Sequence, residues 1–195
     1  MTKTSKKPSK KATVKKVVKK VISWSRMSKK AKRIAIAKDV LKHIKAGALI
    51  PTSGWYFKSS EVRDVQREIP FTETRELQEL LQGKTCQVCA KGALFISDIL
   101  KNDDFQVGTY TDIDEGGIMC DRLEGIFERG QLDLIECAFE GGTVTDATGI
   151  LSDDNGNTPL ADKAEKFHDK NNDDSEKILT AIMKNIIKND GTFKP

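Results

Sequence analysis

The sequence has no apolar stretch approaching the ~20 residues that span a bilayer, so no transmembrane helix is expected. Its basic N-terminus is not followed by the apolar segment of a signal peptide. The resulting expectation is an intracellular protein in a host cytoplasm, or one carried in a virion assembled there. Aromatic residues make up only 6% of the chain, so any core must be largely aliphatic. Four cysteines in 195 residues (Cys86, Cys89, Cys120 and Cys137) are too few for a disulfide scaffold. The two histidines, His43 and His168, stand alone on separate predicted helices rather than clustering as ligands or bases. The chain contains no G-x-S-x-G, H-E-x-x-H or Rossmann glycine pattern, and its acids form no recognisable catalytic pair. Nothing positive points to an enzyme, and no cofactor is expected.

The most telling shortage is of acid near the start. Residues 1–38 hold fifteen Lys and Arg and no Asp or Glu, while residues 39–195 hold eighteen basic against twenty-nine acidic side chains. A strongly basic arm is attached to an acidic body, and the net charge of +4 conceals it. Residues 1–13, rich in Lys, Ser and Thr, cannot bury enough apolar surface to order themselves. In residues 14–22, Val14, Val17, Val18, Val21 and Ile22 fall on one helical stripe between lysine pairs. Lysine repulsion and β-branched valines disfavour a free helix there, so an anionic surface or acidic partner would be needed to form it. The alternative for such a run is a solvated tail that aids only solubility.

The body reads as helices. Ser28 can cap a helix from Lys29 to Ala46, with Ile34, Ala37, Leu41 and Ile44 as its core stripe, Ile36 and Val40 beside it, and Gly47 and Pro51 as stops. Trp55, Tyr56 and Phe57 follow Gly54 as a short strand or an anchored loop. A polar helix is expected from Thr72 to Gly83. The longest apolar run, Thr85–Leu100, then predicts a central helix from Cys86 to Lys101, small on one side and bulky on the other. A segment after Gly117 is followed by one in which Leu132, Ile135 and Phe139 mark an apolar face ended by Gly141. Thr158–Pro159 starts a further helix that runs to about Asp169. Ser175 is expected to cap the last, with Ile178, Ile182 and Ile186 in a stripe and Gly191 after it. The prediction is a mainly α protein: a disordered basic arm over residues 1–28 and a single compact multi-helix domain over residues 29–195.

Each chemical motif has a plainer explanation. Cys86-Gln-Val-Cys89 could be a redox pair or half of a zinc site, but small packing cysteines fit better, because a predicted helix and Gly83–Lys84, not a strand, precede it and Cys120 and Cys137 are widely separated. Gly83-Lys84-Thr85 ends like a P-loop, yet Gln78 stands where the motif needs glycine. Three Asp/Asn-rich stretches, around Asp112, Asp153 and Asp169, lack the full glycine and glutamate pattern of an EF-hand and read as caps and turns. No metal ligands are assigned.

The phrases KRIAIAKDVLKHIKAG, CQVCAKGALFIS, QLDLIECAFE and ILTAIMKNIIKNDGTF, in that order, resemble a group of small uncharacterised proteins of tailed bacteriophages and bacteria. The resemblance covers most of residues 33–193. It implies a mainly helical body and, since no activity is established for the group, no site residues. The leading expectation is a non-enzymatic accessory protein, viral in setting, that contacts nucleic acid through residues 1–33. Lys6, Lys7, Lys10, Lys11, Lys15, Lys16, Lys19 and Lys20 would neutralise phosphates without reading sequence. Trp24 reads as packing at the domain edge, with stacking on a base as the alternative. The second expectation is a protein-interaction module or inhibitor acting through the acidic body and Trp55, Tyr56 and Phe57. The third is a metal-dependent enzyme using the cysteines.

Overall fold

The structure, a computed structural model, describes residues 23–54, 57–59, 85–102, 117–141, 159–171 and 173–195. A short 3-10 turn, Trp24–Arg26, precedes helix α1, Lys29–Lys45. Ser28 caps α1, its Oγ accepting from the Ala31 N–H at 3.2 Å. Three short strands follow among the described residues: β1 (Leu49–Pro51), β2 (Phe57–Ser59) and β3 (Cys86–Val88). Five more helices complete the described chain: α2 (Ala90–Asn102), α3 (Gly117–Glu124), α4 (Arg129–Glu140), α5 (Pro159–Asp169) and α6 (Ser175–Lys188). The protein is mainly helical, as its sequence predicts, and no described helix is long and apolar enough to cross a membrane. The helix expected between Thr72 and Gly83 lies outside the described residues, as does the arm up to residue 22.

The central run divides into two elements. Cys86, Gln87 and Val88 form the middle strand of a mixed sheet, parallel to β1 and antiparallel to β2. The helix expected to start at Cys86 therefore starts at Ala90. The reason is a period of two that a helical reading overlooks: Cys86 and Val88 are buried and Gln87 between them is not. The Cys86 N–H donates to the Ala48 carbonyl at 2.9 Å, and the Val88 carbonyl accepts from the Thr52 N–H at 2.8 Å. Pro51, which has no N–H to give a ladder, sits on an edge strand.

Every residue of α2 from Ala90 to Ile99 is buried. Helix α1 covers one side of it, α4 another, and α3 packs against both α2 and α4; α6 closes over α1 and α4, and α5 lies along α4. On α1 the buried face is Ile36, Ala37 and Val40, with Leu41 and Ile44 at its margin. The expected stripe is thus rotated, because α1 meets α2 and α6 at once and its most buried line runs between them. Arg33 ties α1 to the rest: its Nε donates to the Ile126 carbonyl at 2.9 Å, its Nη1 to the Gly191 carbonyl at 3.3 Å, and its guanidinium lies over the Phe127 ring.

The cap of α6 is Asp174 rather than Ser175. The Asp174 carboxylate accepts from the Lys177 N–H at 3.0 Å, and that bond holds its pKa below the usual value. A full negative charge at the positive end of the helix outcompetes a neutral hydroxyl.

Gly141 ends α4 with φ of 72°, and a Cβ there would lie 2.5 Å from His168 Nε2. His168 bridges α4 and the α5–α6 turn: Nδ1 is 3.3 Å from the Ala138 carbonyl and Nε2 is 2.8 Å from Asp173 Oδ1. Gly141→Ala should therefore combine left-handed strain with displacement of the imidazole. A loss of about 2–4 kcal/mol is expected in denaturant unfolding, larger than for alanine at an exposed helix position.

Candidate functional site, a lysine-edged cleft where the arm joins the body

Residues Ser23–Met27 fold the end of the arm against the body. Trp24 packs on the core, and Lys32 sits over its ring at 5.5 Å from the centroid, joining the turn to α1. The indole Nε1 is buried without a hydrogen-bond partner among the described residues. Beside Trp24 opens a cleft of about 570 Å³. Trp24, Met27 and Ala35 give it apolar surface, and Lys38, Lys42 and Lys101 give it positive charge.

The cleft's carboxylate is held between two side chains. Asp39 is only 5% exposed; its Oδ1 lies 2.8 Å from Lys101 Nζ and its Oδ2 3.3 Å from His43 Nε2. Burial acts to raise its pKa, but hydrogen bonds from His43 and Lys101 and their charge bring it below the usual 3.8. Lys101 is thus fixed at the mouth, while Lys38, Lys42 and Lys45, on the same helix, are exposed and pair with no described carboxylate. This cluster is a surface that can hold an anion next to an apolar recess. Periodicity directed at apolar residues passes over it, although lysines at positions 38, 42 and 45 carry the same helical spacing.

A second charged cluster lies at the ends of β1 and β3. Lys91, 7% exposed in its side chain, pairs with Glu136 and lies 3.6 Å from Asp133. Glu140 accepts from the Ser53 hydroxyl and from the Gly54 N–H at 3.0 Å. These contacts join α4 to the sheet.

The predicted site residues fall as follows. Lys6, Lys7, Lys10, Lys11, Lys15, Lys16, Lys19 and Lys20 lie outside the described residues, as do Trp55 and Tyr56; Phe57 opens β2. Cys86, Cys89 and Cys137 are buried. A strand does precede the helix at the C-x-x-C, yet Cys86 is spent within it. Cys89 lies at the helix start, where its Sγ accepts from the Gly92 N–H at 3.4 Å, and burial pushes its thiol up to about 12. Among the described residues no group of three or more His, Cys, Asp or Glu is placed to hold a metal ion. Comparison of the chain with protein-family models, curated proteins and solved structures finds no match.

Two outcomes follow from these environments. Asp39→Asn should cost about 1.5–3 kcal/mol at neutral pH. Because the folded-state pKa is lowered, that stabilisation is fully present above the unfolded value and is lost as pH falls through the folded one; the mutant and parent unfolding curves should converge in acid. Cys86, Cys89 and Cys137 should stay unmodified by iodoacetamide at pH 8 in the native protein and react after denaturation, as peptide mass spectrometry would register.

Proposed function

We propose that this is a non-enzymatic accessory protein that holds nucleic acid by sequence-independent contacts of its basic arm. The reading is supported by one observation above others: the positive charge does not end with the arm. Residues 1–38 contain no acid, and the exposed lysines of α1 carry the charge onto the folded body. Lys29, Lys38, Lys42 and Lys45 are all solvent-exposed, and Lys30 is exposed too although it lies 3.0 Å from Asp190. Several acidic residues of the body are engaged away from these lysines, as Asp98, Glu136 and Glu140 show.

Lysines are suited to this work because each neutralises a phosphate as a point charge and releases counterions. Lys6, Lys7, Lys10, Lys11, Lys15, Lys16, Lys19 and Lys20 are the principal phosphate contacts in this reading. The resemblance to proteins of tailed bacteriophages supports a viral setting, with the helical body as the part the arm tethers to a genome or transcript.

A second reading, a protein-interaction module, draws on the Glu140 contacts. They hold Ser53 and Gly54, the residues just before Trp55 and Tyr56 in the sequence, and Trp55, Tyr56 and Phe57 would be the contacts of such a module.

The test is binding to unrelated DNA and RNA sequences across a salt series, comparing the full chain with one that begins at Ser23 and so keeps Trp24 on the core. The full chain should lose about 10³-fold or more in affinity between 50 and 200 mM salt, for roughly six phosphate contacts. The shortened chain should bind far more weakly and with a shallower slope. Absence of binding by the full chain at low salt would refute the tether.

A further inference from the structure

We infer that the cleft beside Trp24 is a subsite for one unpaired base of single-stranded nucleic acid, with Lys38, Lys42 and Lys101 taking the flanking phosphates. This rests on the nucleic-acid reading above but assigns a separate role to the folded body.

Four observations carry it. First, an open depression of about 570 Å³ lies beside Trp24, with room for a base to lie against it. Second, its surface combines an indole, a thioether and a methyl group with three ammonium groups. That pairing matches a single strand, whose unpaired bases offer flat apolar faces beside a charged backbone. Duplex DNA keeps those faces stacked inside and presents phosphates alone to a shallow contact. Third, the cations are distributed around the recess. Lys38 and Lys42 stand one turn apart on one side of α1, and Lys101 comes from the end of α2, fixed by its 2.8 Å contact with Asp39. The Asp39 carboxylate, shared between Lys101 and His43, leaves the cleft net positive. Fourth, Ser23 and Trp24 line the cleft, and in the sequence Lys19 and Lys20 come only a few residues before them.

The experiment uses the full chain. With Trp55→Phe, Trp24 becomes the only tryptophan and reports on the cleft. An oligothymidine of about 12 nucleotides should shift or quench Trp24 emission on binding, and a duplex of the same length should not. In the otherwise unaltered chain, Ala35→Leu narrows the recess while leaving every lysine in place. It should weaken oligothymidine binding about tenfold and leave duplex binding unchanged. The exposed pair Lys38→Gln and Lys42→Gln should make the single-strand salt slope shallower by about 1.4, without altering the unfolding midpoint by a comparable effect.

Equal affinity for single strand and duplex, with Trp24 emission unmoved, would overturn the base subsite and leave the arm's role intact. Thymidine monophosphate binding as tightly as the oligomer would overturn it too, since the cleft would then be a free-nucleotide site. No binding of either nucleic acid at low salt would remove this inference and the tether together.

Discussion

A helix enclosed on all sides sets the terms for the rest of this molecule. From Ala90 to Ile99 no face of α2 meets water, yet the run includes Lys91, Ser97 and Asp98. Each charge placed there needs a partner brought by a neighbouring element. Asp98, 1% exposed, is met by Arg122 Nε at 2.6 Å from α3. Burial still raises the Asp98 pKa, so this pair orients α3 more than it contributes stability. Lys91 is met by Glu136 and Asp133 from α4. Two ion pairs at opposite ends of one helix thus specify which helices lie against it and in what register.

The helices were legible because their ends carry strong local chemistry. Ser28 caps, Pro159 opens a first turn, and Gly141 and Gly47 take left-handed backbone, each as residue type alone suggests. Asp174 and Ser175 are adjacent capping residues, and it is the Asp174 carboxylate that takes the Lys177 N–H. The sheet was illegible for a different reason. Three-residue strands carry too few alternations to register as a period, and β3 is continuous in sequence with an apolar helix. Its identity comes from Ala48 and Thr52, far away in the chain.

The candidate site divides along the same line. Its basic arm is visible in composition, since charge needs no partner to be counted. The cleft is not, because it exists only where the end of the arm, the middle of α1 and the last turn of α2 converge. Trp24 shows the difference: its neighbours in sequence are Ser23 and Ser25, but in space Lys32 lies over its ring and it shares the cleft with Lys38 and Lys101. Asp39 is the fixed point that positions a lysine from another helix.

The strand order has a consequence for how the chain assembles. β3 lies in the middle of the sheet although it is last in sequence, and β1 and β2 bond only to it. While a ribosome has released residues up to Ser59 and not yet Val88, neither earlier strand has its partner in this sheet. The sheet is completed only when the long segment between Pro51 and Cys86 closes on itself, and that closure brings the start of α2 into place with it. Helix α1 can form earlier from local contacts, so the newly made chain presents its basic arm and α1 before it possesses a core.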